Sequence, residues 1–263
     1  MRKLSIEDLS FSYERVHVLK NITFEANKGQ MICLLGPNGV GKSTLFGCLL
    51  GILNKYDGYI KIDGKDIKNL SRREMAKHIA YVPQIYESNF NYSVLETVLM
   101  GLNNQIGAFA TPGAKHYRKA MDALERMSIA HLADIGHHQI SGGERQLALI
   151  ARALVQDADI LVMDEPTANL DFGNQNHVLK EVKKLCSEGY LILFSSHQPD
   201  HAFLYADTAI VLYEQVIRAS GNPSKILNEE LMLEIYRIPV HIAQNTFDGT
   251  MFYSCVPKMQ VEI

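Results

Sequence analysis

A continuous apolar run, Met31 to Leu35, passes straight into Gly36-Pro-Asn-Gly-Val-Gly41-Lys42-Ser43-Thr44, and the residues from Lys42 to Leu53 then have the length of a helix. A run with no polar interruption fits a strand buried on both faces, the setting of a parallel sheet. The loop between fits G-x-x-x-x-G-K-[ST], in which glycines let backbone N–H groups turn inward around a phosphate. The helix start adds positive potential, Lys42 can reach the β and γ oxygens, and Ser43 offers a hydroxyl to Mg²⁺. An accidental glycine turn would not need to sit between a buried strand and a helix. A chain built this way is expected to fold around an α/β core.

At 263 residues the chain suits one large domain or a domain with a subdomain. Hydrophobic residues make up 47% and charged residues 21%, so neither disorder nor a fibrous repeat is expected. The formal charge of -3, from 26 basic and 29 acidic residues, gives no electrostatic reason to expect a nucleic acid partner. Anion binding must then come from local geometry. Residues 1–10 lack the apolar stretch of a signal peptide, and the longest apolar run, Leu45 to Leu53, is too short to span a membrane, so a soluble, cytosolic chain is expected. The cysteines Cys33, Cys48, Cys186 and Cys255 form no Cys-x-x-Cys pair and read as small buried hydrophobes.

Leu4 to Leu9 and Ile22 to Ala26 alternate as antiparallel strands do. From Ser71 to about Ala133 the pattern turns helical, with Val94, Val98 and Leu102 on one stripe and Ala120, Leu124, Met127 and His131 on another. Gly107 to Gly113 reads as a surface loop between these helices. The α/β rhythm then returns, with strands Ile160 to Met163 and Tyr190 to Ser195 around a helix Gln175 to Cys186. Ala209 to Tyr213 and Gln215 to Ala219 read as a closing hairpin, followed by a helix from Pro223 and a polar tail. The middle helices are therefore expected as an insertion into the α/β core.

Two further segments carry chemistry. Ile160 to Met163 ends in adjacent carboxylates, Asp164 and Glu165, and a turn at a strand end can aim one at a metal shell and the other at an attacking water. Ser141-Gly142-Gly143-Glu144-Arg145-Gln146 precedes a helical run, so its serine and N–H groups can form a second anion cradle. Two cradles in one chain make sense if each belongs to a different half of a dimer.

These residues resemble the ATP-binding subunit of ABC transporters, with Walker A at Gly36 to Thr44, the signature at Ser141 to Gln146 and Walker B at Ile160 to Glu165. Tyr13 resembles the aromatic that stacks on adenine, Gln84 the Q-loop, Asn169 to Asp171 the D-loop and His197 the switch histidine. Ile140 before the signature and Val40 within Walker A depart from the usual residues, both by apolar exchange.

The resemblance implies a P-loop NTPase ABC cassette, α/β, with a RecA-like core, an antiparallel β subdomain and an inserted α-helical subdomain. Residues 1–84 and 156–240 would form the core, 85–155 the signature subdomain and 241–263 a C-terminal tail, one ABC domain spanning about residues 4–237. It implies ATP and Mg²⁺ as ligands, with Glu165, His197, Gln84 and Lys42 in catalysis and Ser43, Gln84 and Asp164 around the metal. Nucleotide contacts would come from Tyr13, Gly36, Pro37, Asn38, Gly39, Val40, Gly41, Lys42, Ser43, Thr44, Ser141, Gly142, Gly143, Glu144 and Asp171.

The implied partners are a second copy of the chain in an ATP sandwich, two transmembrane permease subunits and, indirectly, a substrate-binding protein, on the cytoplasmic face of the membrane. Segments 92–101, 170–175 and 221–227 are most similar to the metal-chelate importers, with iron-siderophore ahead of haem, cobalamin, molybdate or tungstate. The rival class, a non-transport ABC ATPase acting on DNA or ribosomes, brings a long coiled coil or a second cassette, and this chain has neither. His197 and His201 have zinc-like spacing, but Pro199 lies between them. His137 and His138 read as a solvated loop. Tyr81, Tyr86, Phe90 and Tyr92 lack interleaved basic residues and read as packing around, or forming, a docking groove for a partner helix rather than a base-stacking surface.

Overall fold

The computed structural model describes residues 2–84, 90–103, 105–106 and 111–258. In chain order they form β1 (Arg2–Tyr13), β2 (Val16–Asn27), β3 (Met31–Leu35), α1 (Lys42–Leu49), β4 (Asp57–Ile62) and β5 (Lys65–Asp66). Next come α2 (Arg72–His78), β6 (Ile79–Val82), α3 (Val94–Leu99), α4 (Ala114–Arg126), α5 (Gly142–Leu154), β7 (Ile160–Met163) and α6 (Phe172–Ser187). The chain closes with β8 (Leu191–Ser196), α7 (Pro199–Tyr205), β9 (Thr208–Tyr213), β10 (Val216–Gly221), α8 (Pro223–Ile226), α9 (Glu229–Tyr236), β11 (Val240–Phe247) and β12 (Thr250–Pro257).

Internal contacts divide the chain into two units, Met1–Lys68 with Leu193–Ile263, and Asn69–Ile192. In the first, an antiparallel sheet runs β2-β1-β4-β5. Its inward face is set by alternation: Ile22, Phe24 and Ala26 are buried while Thr23 and Glu25 are exposed, as a strand with one wet face requires. Beside it the order β10-β9-β3-β8 brings Leu193–Ser196 into the unit, with β3 and β9 parallel. Every residue of β3 is buried. Its entry is fixed by Asp207, whose carboxylate accepts from Met31 N–H at 2.7 Å and whose N–H donates to Met31 carbonyl at 2.8 Å.

Residues 241–263, expected as a polar tail, instead contribute the β11–β12 hairpin up to Pro257. Its strands carry half-buried residues such as Ile242, Phe252 and Tyr253, a periodicity too weak to read against polar neighbours.

In the second unit β6 and β7 are parallel, and Leu191 of β8 donates to Asp159 carbonyl at 2.9 Å. The strand β6 interrupts the region expected to be helical from Ser71 onward. Its four residues are too few for periodicity to separate a strand from a helix turn. The helices α3, α4 and α5 pack on one another; Val98, Ala120, Leu124 and Leu147 on them are buried, as is Leu102 in the 3₁₀ turn after α3. His131, expected on the same stripe as Ala120 and Leu124, is exposed, because α4 ends at Arg126 and the chain turns before reaching it. Ser71, Ser93 and Ser141 each cap a helix with a glutamate three residues on, so the starts of α2, α3 and α5 are written locally. The expected loop at Gly107 to Gly113 and the expected contact at Tyr86 lie wholly or partly outside the described residues.

Cys33, Cys48 and Cys186 are buried, as expected, and Cys255 is half-buried. No helix among the described residues is long and apolar enough to cross a membrane.

Candidate functional site

The first unit holds Tyr13, Gly36 to Thr44 and His197; the second holds Gln84, Ser141 to Glu144, Asp164, Glu165 and Asp171. In the first, the loop leaves β3 hard against β9: a Cβ on Gly36 would lie 2.5 Å from Leu212 carbonyl, and Val40 packs over the same glycine. Val40 therefore fills space over the loop's own backbone, which accounts for an apolar residue there. Gly41 has φ 109°, a conformation that L side chains rarely adopt, and it starts α1 with no side-chain cap. An anion can complete such a helix start. Lys42 is buried, and its ammonium donates to the carbonyls of Gly36 at 2.8 Å and Pro37 at 3.2 Å, which draws the side chain back along the loop. Ser43 is exposed and Thr44 half-buried.

Gly41 also meets Val18 and Leu19 of β2. The β1–β2 hairpin that touches the loop therefore ends in Tyr13, which is 49% exposed and edge-on to Phe11 at 4.8 Å. A half-exposed ring braced by a second ring is suited to stacking on a flat base.

In the second unit, two strand ends deliver the acidic pair and the glutamine together. Asp164 N–H donates to Val82 carbonyl at 3.0 Å, aligning the end of β7 with that of β6. Two residues past Val82, Gln84 Nε2 donates to Glu165 Oε2 at 3.1 Å. Asp164 is buried, whereas Glu165 is half-buried and takes a positive φ of 44°. A left-handed glutamate is uncommon, and backbone strain of this kind, on the order of 1–3 kcal/mol, gathers at functional turns. The sequence placed both groups near the attacking water and the metal; their direct pairing comes from the parallel register of β6 and β7.

Ser141 starts α5 with a full capping box: its Oγ accepts from Glu144 N–H at 3.3 Å, and Glu144 Oε2 accepts from Ser141 N–H at 2.8 Å. Hydrogen bonds from the Ser141 side chain and N–H hold the Glu144 carboxyl below its ordinary pKa. Gly143 has no room for a Cβ against the Asn174 side chain. Asn174 in turn donates to both oxygens of Asp171, from N–H at 2.8 Å and from Nδ2 at 2.7 Å, capping α6. The signature glycine and the D-loop aspartate are thus joined through Asn174. Nothing at Asn174 signalled this role, because it depends on α5 and α6 packing side by side.

Of the two histidines expected in a solvated loop, His138 is exposed but His137 is not. They lie in a 3₁₀ turn, and His137 is only 2% exposed, because the turn is drawn in by His137 N–H donating to Tyr92 carbonyl at 2.8 Å. Burial first, then the charges of Arg145, His138 and Arg152, lower the His137 pKa to about 4. Arg145, in the first turn of α5, reaches back to the carbonyls of His137 at 3.4 Å and Ile140 at 3.3 Å. Tyr81 is 36% exposed, and Phe90 and Tyr92 lie with ring centroids 5.7 Å apart. His197 is exposed on the turn between β8 and α7. His201 turns its Nδ1 to Ser196, and no cluster of three metal-ligating side chains occurs among the described residues.

A helix start without a side-chain cap after a fully buried strand in one unit, and a buried strand ending in a positive-φ glutamate in the other, fit the class of P-loop nucleotide-binding proteins. The comparisons narrow the class. The sequence model for "ABC transporter" matches residues 19–168, and an ABC transporter ATP-binding protein of Haemophilus influenzae is 40% identical over 234 residues, 89% of each chain. The chain belongs to the ABC transporter family, among its ATP-binding subunits.

The molybdate import ATP-binding protein MolC of Haemophilus influenzae is 36% identical over 258 residues, 97% of this chain and 96% of its own. An iron chelatin transport ATP-binding protein of Helicobacter pylori is 35% identical over 239 residues, 90% of this chain and 94% of its own. Among solved structures, a metal-chelate type ABC transporter in an inward-facing conformation is 34% identical, covers 100% of both chains and has a TM-score of 0.88. The resemblance read from the sequence is borne out, and so is the cassette fold, mixed α/β with an antiparallel sheet and a helical region. Domains of this family bind ATP, and such subunits work with transmembrane permease partners.

Proposed function

We propose that the chain hydrolyses ATP and thereby powers import of a metal chelate, with iron-siderophore as the leading cargo, through a separate permease. The observation that carries the reading is the Gln84–Glu165 hydrogen bond. It ties the carboxylate suited to orient or deprotonate water to the residue that opens the segment expected to dock a permease.

In this reading Lys42 and the N–H groups of Gly36 to Thr44 hold the phosphates, Tyr13 stacks on adenine and His197 contacts the γ-phosphate. Ser141 to Glu144 of a second copy close the pocket, and Asp171 fixes the neighbouring turn through Asn174. Residues 1–84 and 156–240 act as the catalytic core, 85–155 as the signature subdomain and 241–263 as its C-terminal extension.

The donors assigned to Mg²⁺, namely the Ser43 hydroxyl, the Gln84 amide and the Asp164 carboxylate, offer the oxygen atoms a hard cation takes. Gln84 fits, because its Nε2 is given to Glu165 and its carbonyl oxygen remains for a cation. When bound, Mg²⁺ would neutralise charge developing on the transferred phosphoryl group. The subunit would sit peripherally on the cytoplasmic face of the membrane.

Co-expression with candidate metal-chelate permeases tests this reading. Stable copurification, with ATPase activity that rises on assembly, is the expected result. Tight binding to DNA or ribosomes with no membrane partner would overturn it. Elemental analysis of cargo taken up by the reconstituted complex separates iron from molybdenum, tungsten or cobalt. The molybdate-importing relative, as similar as the iron chelatin one, makes that the deciding measurement for cargo.

A further inference from the structure

The turn that carries His197 is held by contacts that phosphate chemistry does not require. Ser196, buried, accepts from Gln198 N–H on its Oγ at 3.0 Å, and the same oxygen lies 3.0 Å from His201 Nδ1. The residues on both sides of His197 are thus tied to one hydroxyl. The helix that follows, α7, has only seven residues. So short a helix takes its position from packing, since a segment of that length is not stable alone.

The packing comes from the C-terminal hairpin. Cys255 N–H of β12 donates to Asp200 Oδ1, in the first turn of α7, at 2.7 Å. One helical turn on, the rings of Phe203 and Tyr253 stack with centroids 5.8 Å apart and planes at 27°. An isolated hairpin is itself marginal, and this one is anchored on its other strand by α9. There Glu229 accepts from His241 Nδ1 at 2.8 Å, from Ile242 N–H at 3.3 Å and from Lys258 Nζ at 2.6 Å. A continuous chain of contacts therefore runs from α9 through β11 and β12 into α7 and the His197 turn, all within one unit.

We propose that Asp200 is a positioning residue for hydrolysis: by accepting the Cys255 N–H it clamps α7 to the β11–β12 hairpin and holds the His197 turn in its working orientation. The inference rests on His197 contacting the γ-phosphate. A carboxylate in the first turn of a helix also stabilises the helix through its charge alone, so the test must separate the hydrogen bond from the charge. Asp200→Asn keeps an acceptor oxygen without the charge, and Asp200→Ala loses both.

Steady-state ATPase of the purified full chain, with kcat and KM resolved, is measured for the parent, Asp200→Ala, Asp200→Asn and His197→Ala, alongside hydrogen exchange of residues 195–201. Displacing a group held near the reacting atoms lowers turnover rather than binding. Asp200→Ala is expected to lower kcat about tenfold with KM for ATP within about twofold and faster exchange at 195–201, whereas Asp200→Asn retains most of the turnover. In a His197→Ala background, Asp200→Ala should add nothing.

Wild-type kcat in Asp200→Ala, or equal impairment of the Ala and Asn variants, overturns the proposal. Should Asp200→Ala not fold, Tyr253→Leu removes the stacked ring and keeps the hydrogen bond; it is expected to lower kcat about two- to threefold, and unchanged turnover would count against the clamp. The two layers separate cleanly. A fully active His197→Ala removes the γ-phosphate reading and the inference with it, whereas an inactive His197→Ala beside a normal Asp200→Ala removes the inference alone.

Discussion

The two helix starts that this chain offers to phosphate are built in opposite ways. Behind α1 stands Gly41, with no side-chain cap, and the buried Lys42 is drawn back along the loop. Behind α5 stands Ser141, whose hydroxyl is bonded to Glu144 N–H while the Glu144 carboxylate returns to Ser141 N–H. The first start has no side-chain cap, so an anion can complete it. The second is already completed by its own side chains, and it carries a negative charge besides. An anion brought to α5 would therefore meet a capped start with the Glu144 carboxylate beside it. That asymmetry suits a pocket in which one loop holds nucleotide alone and the other engages only when a second copy brings it up.

The largest expected effect lies outside both helix starts and sets the scale for them. Glu165→Gln removes a general base worth about 10²–10⁴-fold, so turnover should fall by that order while ATP binding persists. Normal steady-state hydrolysis by the purified mutant assembly would remove Glu165 from the mechanism. Next, Lys42→Ala deletes charge-assisted hydrogen bonds of about 1.5–3 kcal/mol each to phosphate, which is roughly 10–100-fold in ATP affinity. Titration with labelled nucleotide checks this, and an equal loss of affinity in Ser141→Ala would abolish the contrast between the two starts.

The contrast should invert for stability. Ser141→Ala loses an N-cap, at about 1 kcal/mol, whereas Ser43→Ala, on a helix with no side-chain cap, should stay within about 0.5 kcal/mol. Denaturant melts of both variants without nucleotide decide it, and a larger loss for Ser43→Ala would show that α1 is capped in some other way.

A pH effect is shared by both units. His137 and His201 are each held down to about 4 from an ordinary 6.5, chiefly by burial. Unfolded, each binds a proton that the folded chain refuses, so stability is complete above about pH 6.5 and is lost as pH falls from there toward 4. The carboxylates lowered in the fold, Glu144, Asp171 and Glu229, are lost only below their ordinary values near 4. The window between about 6.5 and 4.5 therefore belongs to the histidines. A melting midpoint that does not move between pH 7 and pH 5 would show that they are not buried neutral.

Much of the phosphate loop was legible because its chemistry is local. A buried strand, a glycine turn and a lysine at a helix start are consecutive residues, and so are the serine and glutamate of each capping box. Legibility failed where a partner came from far along the chain. The β6 strand is four residues long and is recognisable only beside β7. His137 looked like a loop residue until Tyr92 drew it inward. Asn174 gave no sign that it would join Gly143 to Asp171.

By itself, then, the sequence determined the class: the order of strand, glycine loop, capped signature helix and carboxylate strand, and with it the family. Only the tertiary structure decided that Glu165 is held by Gln84, that α5 closes on itself while α1 does not, and that the residues after Pro239 form a hairpin braced on α7. The reason is physical. Backbone conformation and caps are set by neighbours a few residues apart, which a sequence displays, whereas hydrogen bonds between strand ends and helix faces exist only after loops have closed between residues tens of positions apart.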